Sequence, residues 1–271
     1  MFGRISSVDY DSYIALEKRY SRDISNDFLL PAELRAMFDA GVVEVNAGEG
    51  ALFLFEKREG YTKLHFRVNR TSNMVKRPKG DVAAFLTYRG KKYPEAAADW
   101  LTGQGFVKAK TLRRYSAVEI TDDINMNANG TDGTAADNSA ANNTAADKET
   151  VDEATVEEAY LMLGRYFNAI EADLPCRELF EGALCMRSSG GVPVGMLYMG
   201  RTLSIAVTEN ARGQGVGRRL YRAYAAIKTL NAKKTVFHEW VAPENASSIA
   251  MFSSIGFKAE DIYSVCYINR G

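Results

Sequence analysis

Histidine is scarce in this 271-residue chain: His65 and His238 are the only two. A histidine-rich metal centre is therefore excluded. The three cysteines, Cys176, Cys185 and Cys266, are odd in number and follow no metal-ligand spacing. No metal is expected, and free thiols point to a reducing, cytoplasmic setting. Excess charge is missing too: 34 Lys and Arg balance 34 Asp and Glu. That balance gives no electrostatic reason to expect a nucleic acid or an anionic membrane as partner. Long apolar runs are also missing. The best candidate, Val192 to Val207, is interrupted by Pro193, Gly195, Gly200 and Arg201, well short of the ~20 apolar residues of a membrane helix. Met1 to Tyr10 has no apolar signal core, so no N-terminal leader is expected there.

One absence is local. Asn127 to Thr150 contains no aromatic residue and no Val, Ile, Leu or Met. Such a stretch cannot bury enough apolar surface to offset its ordering entropy, and 123–150 reads as a disordered low-complexity linker. It separates two prospective domains, 1–122 and 151–271. The rest is ordinary globular composition, with 46% hydrophobic and 25% charged residues.

In the C-terminal part, Val156–Ala172 has helical apolar spacing, and Pro175 blocks its continuation before a short helix from Arg177. Leu184–Ser188, Val192–Tyr198, Thr202–Val207, Thr235–Val241 and Tyr263–Ile268 read as strands. Arg218–Leu230 and Asn245–Ile255 read as helices, the latter capped by Gly256. The N-terminal part runs similarly. Helices are expected at Asp9–Tyr20, Pro31–Ala40 and Pro94–Thr102. Strands are expected at Ala51–Lys57, Tyr61–Val68, Val82–Tyr88 and Thr111–Ile120. Strands interleaved with helices imply an α/β chain of the α+β type. Aligning Gly105-Phe106 on Gly256-Phe257 superposes strand, short helix, Gly-Phe step and closing strand, which suggests an internal repeat.

The chemistry concentrates at Arg212-Gly213-Gln214-Gly215-Val216-Gly217, between a strand and a helix. Close glycines let consecutive N–H groups converge, and the positive end of the helix dipole adds to them, so the turn suits a diphosphate. A nucleotide P-loop needs Lys and Ser or Thr after the last glycine, where Arg218 and Arg219 stand. A dinucleotide fingerprint needs glycine at 218.

The pattern Arg212-x-x-Gly215-x-Gly217 resembles the pyrophosphate motif of the GCN5-related N-acetyltransferases, (Gln/Arg)-x-x-Gly-x-(Gly/Ala). Val241-Ala242-Pro243-Glu244-Asn245, running on through Phe252 to Gly256-Phe257, is similar to that family's second motif. The resemblance covers about 155–271. It implies two such domains, each a central mixed sheet flanked by helices, with the strands Thr202–Val207 and Thr235–Val241 splayed around the pantetheine of acetyl-CoA. It implies backbone contacts to the cofactor from Ile205, Ala206 and Val207. It implies pyrophosphate contacts from Arg212, Gly213, Gln214, Gly215, Val216, Gly217 and Arg218, and places Asn245 and Phe252 beside the cofactor. Asn245 has a second reading as a helix N-cap. The partners implied are an acyl-CoA and a small-molecule or peptide amine.

The sequence departs from that pattern in three places. Phe252 stands where many relatives have the tyrosine that protonates the thiolate, and Phe has no proton to give; another acid such as Tyr263 or Tyr267, a water, or no demanding acid at all could serve instead. No carboxylate lies in Thr202–Val207, which leaves Glu239 or His238 as base, on opposite faces of their strand. Between Val68 and Val82 the N-terminal copy has no Gly-x-Gly turn and too little chain for the following helix, and Pro94 aligns with Asn245. That copy reads as degenerate. The expectation is an acetyl-CoA-dependent N-acetyltransferase acting by direct attack in a ternary complex; the alternative is a non-catalytic acyl-CoA-binding or regulatory module.

Overall fold

The structure is a computed structural model that describes residues 3–4, 8–20, 24–26, 29–48, 50–69, 71–72, 77–118, 120, 150–200, 203–230 and 235–271. The expected linker lies outside the described residues except for Thr150, which begins a strand.

The N-terminal half runs β1 (Gly3–Arg4), α1 (Tyr10–Glu17), β2 (Ile24–Ser25), α2 (Pro31–Asp39), β3 (Val43–Gly48), β4 (Ala51–Arg58), β5 (Tyr61–Val68), β6 (Val82–Arg89), α3 (Glu95–Gly103) and β7 (Val107–Ala117). The C-terminal half runs β8 (Thr150–Glu153), α4 (Val156–Tyr166), α5 (Ala169–Ala172), a 3-10 turn at Arg177–Leu179, β9 (Ala183–Arg187), β10 (Pro193–Tyr198) and β11 (Ser204–Val207). It continues with a 3-10 turn at Glu209–Ala211, then α6 (Val216–Leu230), β12 (Phe237–Val241), α7 (Ala246–Ser254) and β13 (Lys258–Asn269).

Local chemistry sets the boundaries. The Asp9 carboxylate accepts from Ser12 N at 2.7 Å and starts α1. Thr155 and Glu158 form a capping box at α4. The single helix expected over Val156–Ala172 is two, because Phe167 is extended and Asn168 accepts from Ile170 N and Glu171 N, opening a new helix. β3 was not anticipated, although Val43, Val45 and Ala47 alternate with Glu44, Asn46 and Gly48; its pairing with β4 defines it.

The two halves share their helix-to-strand endings. Gly105 (φ +81°) and Gly256 (φ +96°) each end a helix in the left-handed region. Phe106 N reaches Leu101 O at 3.0 Å, and Phe257 N reaches Phe252 O at 3.1 Å. Both rings are buried. Pro94 and Asn245 hold the same place before α3 and α7 with nearly the same backbone, φ −80°, ψ 69° and φ −85°, ψ 74°. Among the described residues α6 has no counterpart between β5 and β6.

Two sheets result. The larger has the order β1-β3-β4-β5-β6-β13-β7-β12, with β2 on β5; the smaller is β11-β10-β9-β8. β13 lies between β6 and β7, antiparallel to both, and β7 in turn pairs with β12. Strands from the two halves therefore alternate across the middle of the larger sheet. A buried charge cluster adds to this interlock. Arg58 and Lys63 lie 3.8 and 3.5 Å from Asp173, Glu56 lies 2.7 Å from Arg58 and 3.0 Å from His65, and Tyr61 donates to Asp173. All five charged or ionisable side chains are under 10% exposed. Burial alone would raise the Glu56 carboxyl, but the His65 hydrogen bond and the Arg58 and Lys63 charges outweigh it and hold it low. Asp173 takes φ +44°, a left-handed conformation uncommon for a residue with a Cβ.

Candidate functional site

β11 pairs with β10 along one edge, and among the described residues its other edge carries no strand; β12 likewise ends the larger sheet. The two strands are held together through α6 and α7: Ile205, Val207, Phe237 and Val241 join one apolar core with Val216, Leu220 and Phe252. The gap expected between them is bordered on β11 by the backbone groups of Ile205 and Val207, since Ala206 and Thr208 face β10; of these, Val207 O is reached by Arg212 Nε at 3.4 Å. The side chains of Ile205 and Val207 point toward α6, and Ala206 joins the opposite core under α4.

The glycine loop sits at the head of this gap. Gly213 (φ +78°) and Gly215 (φ +77°) both take left-handed conformations, which lets the backbone curl where a side chain would resist. Nothing lies within 4 Å of the space a Gly213 side chain would fill. The loop is fixed from behind by Arg212 N→Glu209 O and by Gln214 Nε2→Asn210 O at 2.7 Å. Arg212 reaches back to Val207 O at 3.4 Å and lies over the Tyr166 ring. The first helical turn presents the N–H groups of Val216, Gly217 and Arg218 at the positive end of α6, while Arg219 N donates to Gly215 O at 3.0 Å. α6 can approach the sheet because Gly195 on β10 has no side chain; a Cβ there would come within 2.4 Å of Val216 Cγ1. These features together make an anion cradle opening onto a strand gap.

The remaining expected residues separate. Asn245 Oδ1 accepts from Ser248 N at 3.0 Å, so it caps α7. Phe252 is buried in the core, edge-on to Tyr221 and Phe257 at 5.4 and 5.1 Å, and does not line the gap. Tyr263 stacks on Tyr88 at 5.4 Å, and Tyr267 contacts Tyr93. In the sheet β7 lies between β13 and β12. Glu239 faces α6, 4% exposed, and its carboxyl accepts from Tyr221 Oη at 2.7 Å. Burial raises it from 4.5 to about 8 against the opposing effect of that bond. Glu239 is therefore a neutral core acid, enclosed away from any incoming amine.

His238 and Trp240 occupy the other face of β12, on the α4 side of the gap. His238 is 44% exposed, and its Nδ1 lies 3.5 Å from Glu260 Oε1. Arg114 of β7 donates to Glu260 Oε2 through Nε at 3.1 Å and Nη2 at 2.6 Å. Burial would raise Glu260, but the Arg114 and Ser116 hydrogen bonds and nearby positive charge hold it low, and so ionised. This cluster was half legible: strand alternation put His238 opposite Glu239, but Arg114 and Glu260 meet it only through the strand exchange. A cavity of about 340 Å³, lined by Arg77, Lys79 and Arg270 among others, opens at the start of β6 and end of β13; no loop or gap residue lines it. Among the described residues no cluster of His, Cys, Asp or Glu could hold a metal, and no helix is long and apolar enough to cross a membrane.

With this geometry in view, the comparisons are specific. Residues 194–266, from β10 through most of β13, match the model of the FR47-like protein family, which is related to the GCN5-related N-acetyltransferases. A tandem GNAT protein from the clavulanic acid biosynthesis pathway superposes with a TM-score of 0.51 at 11% identity, covering 96% of this chain and 93% of its own. This chain has the fold of the GCN5-related N-acetyltransferases. A Pyrococcus horikoshii protein described as a putative acetyltransferase has a TM-score of 0.55 at 8% identity, covering 100% and 89% of the two chains. A Drosophila protein reaches 0.56 at 12% identity over 96% and 86%. At these identities the likeness is one of fold. A search of curated proteins finds no match. In GNAT terms the matched segment contains the strand gap, the glycine loop and the helix after it.

Proposed function

We propose that the C-terminal half is an acyl-CoA-dependent N-acetyltransferase site, with acetyl-CoA as co-substrate and an amine as acceptor. The observation that carries this is the left-handed Gly213–Gly215 turn, set at the start of α6 and at the head of an unpaired strand gap. In this reading the N–H groups from Gly213 to Arg218 hold the diphosphate, with Arg212 and Gln214 shaping the turn. The pantetheine arm lies between β11 and β12. Free backbone groups of Ile205–Val207 bind it and polarise the thioester carbonyl, placing donors where negative charge develops. The amine attacks the carbonyl carbon directly. CoA thiolate is a fair leaving group, so Phe252 in place of an acid is no bar. In this reading the N-terminal half binds no CoA, since the sequence between Val68 and Val82 has no Gly-x-Gly turn and too little chain for the following helix, and Pro94 stands in the place of Asn245; β7 of that half pairs with β12. Three buried, free cysteines fit a reducing compartment.

The test is release of free CoA in the presence of a panel of small amines, amino acids and peptide N-termini. Turnover with at least one class is expected, and silence across all three overturns the enzymatic reading. Phe252 and the enclosed Glu239 favour one competing reading, a module that binds acyl-CoA without turning it over.

A further inference from the structure

Resting on that reading, we propose that His238 is the general base, oriented by Glu260, which Arg114 of the N-terminal half holds in place. Of the two ionisable side chains on β12, Glu239 is enclosed under α6, while His238 stands on the open face beside Trp240. β12 ends the larger sheet as β11 ends the smaller, and His238 stands on its face opposite the α6 core, with Nδ1 turned toward Glu260 of β13. The groups around the imidazole are few: Glu260 from β13 at 3.5 Å, Ser116 as its register partner on β7, Arg114 next along β7 on the same face, and Lys258 beyond Ser116. The Glu260 carboxylate 3.5 Å from Nδ1 favours a proton on that nitrogen, which leaves Nε2 as the acceptor. The bidentate Arg114 contact keeps Glu260 ionised and fixes its position.

The reaction balances as follows. Nε2 takes one proton from the acceptor ammonium, and the freed amine attacks the thioester carbonyl carbon. The new C–N bond forms, the C–S bond breaks, and the second amine proton passes through water to the thiolate. Amide and CoA thiol leave, and His238 returns its proton to solvent. Because Arg114 comes from β7, the site is complete only with both halves of the chain. The strand exchange thereby gives the N-terminal half a chemical role, with Arg114 and Glu260 as positioning residues.

The full-length chain is used for the test, with acetyl-CoA affinity by calorimetry and CoA release against pH for the best amine of the panel. His238→Ala is expected to lower kcat/KM about 100-fold, the range of general-base catalysis, with acetyl-CoA affinity and thermal stability unchanged. It should abolish the acidic limb of the pH–rate profile, and added imidazole should restore part of the rate. Glu260→Ala and Arg114→Ala should lower kcat more than they raise KM and shift that limb instead of abolishing it. Wild-type rate and pH profile in His238→Ala would overturn the assignment while leaving the acetyltransferase reading intact. A wild-type chain that binds acetyl-CoA but acetylates no amine overturns that reading, and the base with it.

Discussion

Glu239→Gln isolates the energetic consequence of enclosing a carboxyl under α6. In the folded chain the carboxyl titrates near pH 8, against an ordinary 4.5. Between those values the folded state holds a proton that the unfolded chain has released, so stability must fall as pH rises through this window. The stabilisation is fully present below about pH 4.5 and is lost as pH passes about 8. At about 1.4 kcal/mol per pKa unit the ceiling is about 5 kcal/mol, and relaxation of the core brings the expected loss to about 2–4 kcal/mol. Glutamine has nearly the same shape, still accepts from Tyr221, and carries no charge at any pH. Urea unfolding of both proteins at pH 5.5, 7 and 8.5 measures the difference; all groups common to the two proteins cancel in it. The variant should be within about 1 kcal/mol of wild type at pH 5.5 and about 2–4 kcal/mol more stable at pH 8.5. Stability profiles that stay parallel across this range would refute the placement of Glu239 as a neutral core acid.

Asp173→Ala should cost about 3–5 kcal/mol, because it leaves Arg58 and Lys63 buried without their shared anion. Thermal unfolding reads this directly, and a loss under about 1 kcal/mol would mean the cluster is solvated. Residues 151–271 alone should show no cooperative melting transition by circular dichroism, since β12 loses β7 and β13 loses both its neighbours. A sharp transition from that fragment would contradict the interlocked sheet.

What the sequence made legible is what short stretches of chain decide. Gly213 and Gly215 advertise their left-handed turn within six residues, and the two Gly-Phe steps advertise matching helix ends. Strand alternation separated His238 from Glu239. Which of the two pointed inward was not legible, because a charged residue is expected outside, and the hydroxyl that satisfies Glu239 belongs to Tyr221, on the preceding helix. The strand order was hidden for a related reason. β13 has two buried faces along most of its length, a pattern equally compatible with either set of neighbours, and its place between β6 and β7 is decided by long-range pairing. The surroundings of Tyr263 and Phe252 were hidden on the same account: one stacks on Tyr88 of β6, and the other packs its ring against Tyr221 and Phe257.

The central claim is that the loop from Arg212 to Gly217 cradles the diphosphate of an acyl-CoA. Calorimetric titration of the full-length chain with acetyl-CoA, beside Gly215→Asp, tests it most directly. The wild type should bind one equivalent saturably. The variant should lose that binding, because a Cβ strains the backbone at φ +77° and a carboxylate repels the diphosphate. Equal binding by both proteins, or none by the wild type, would contradict the cradle.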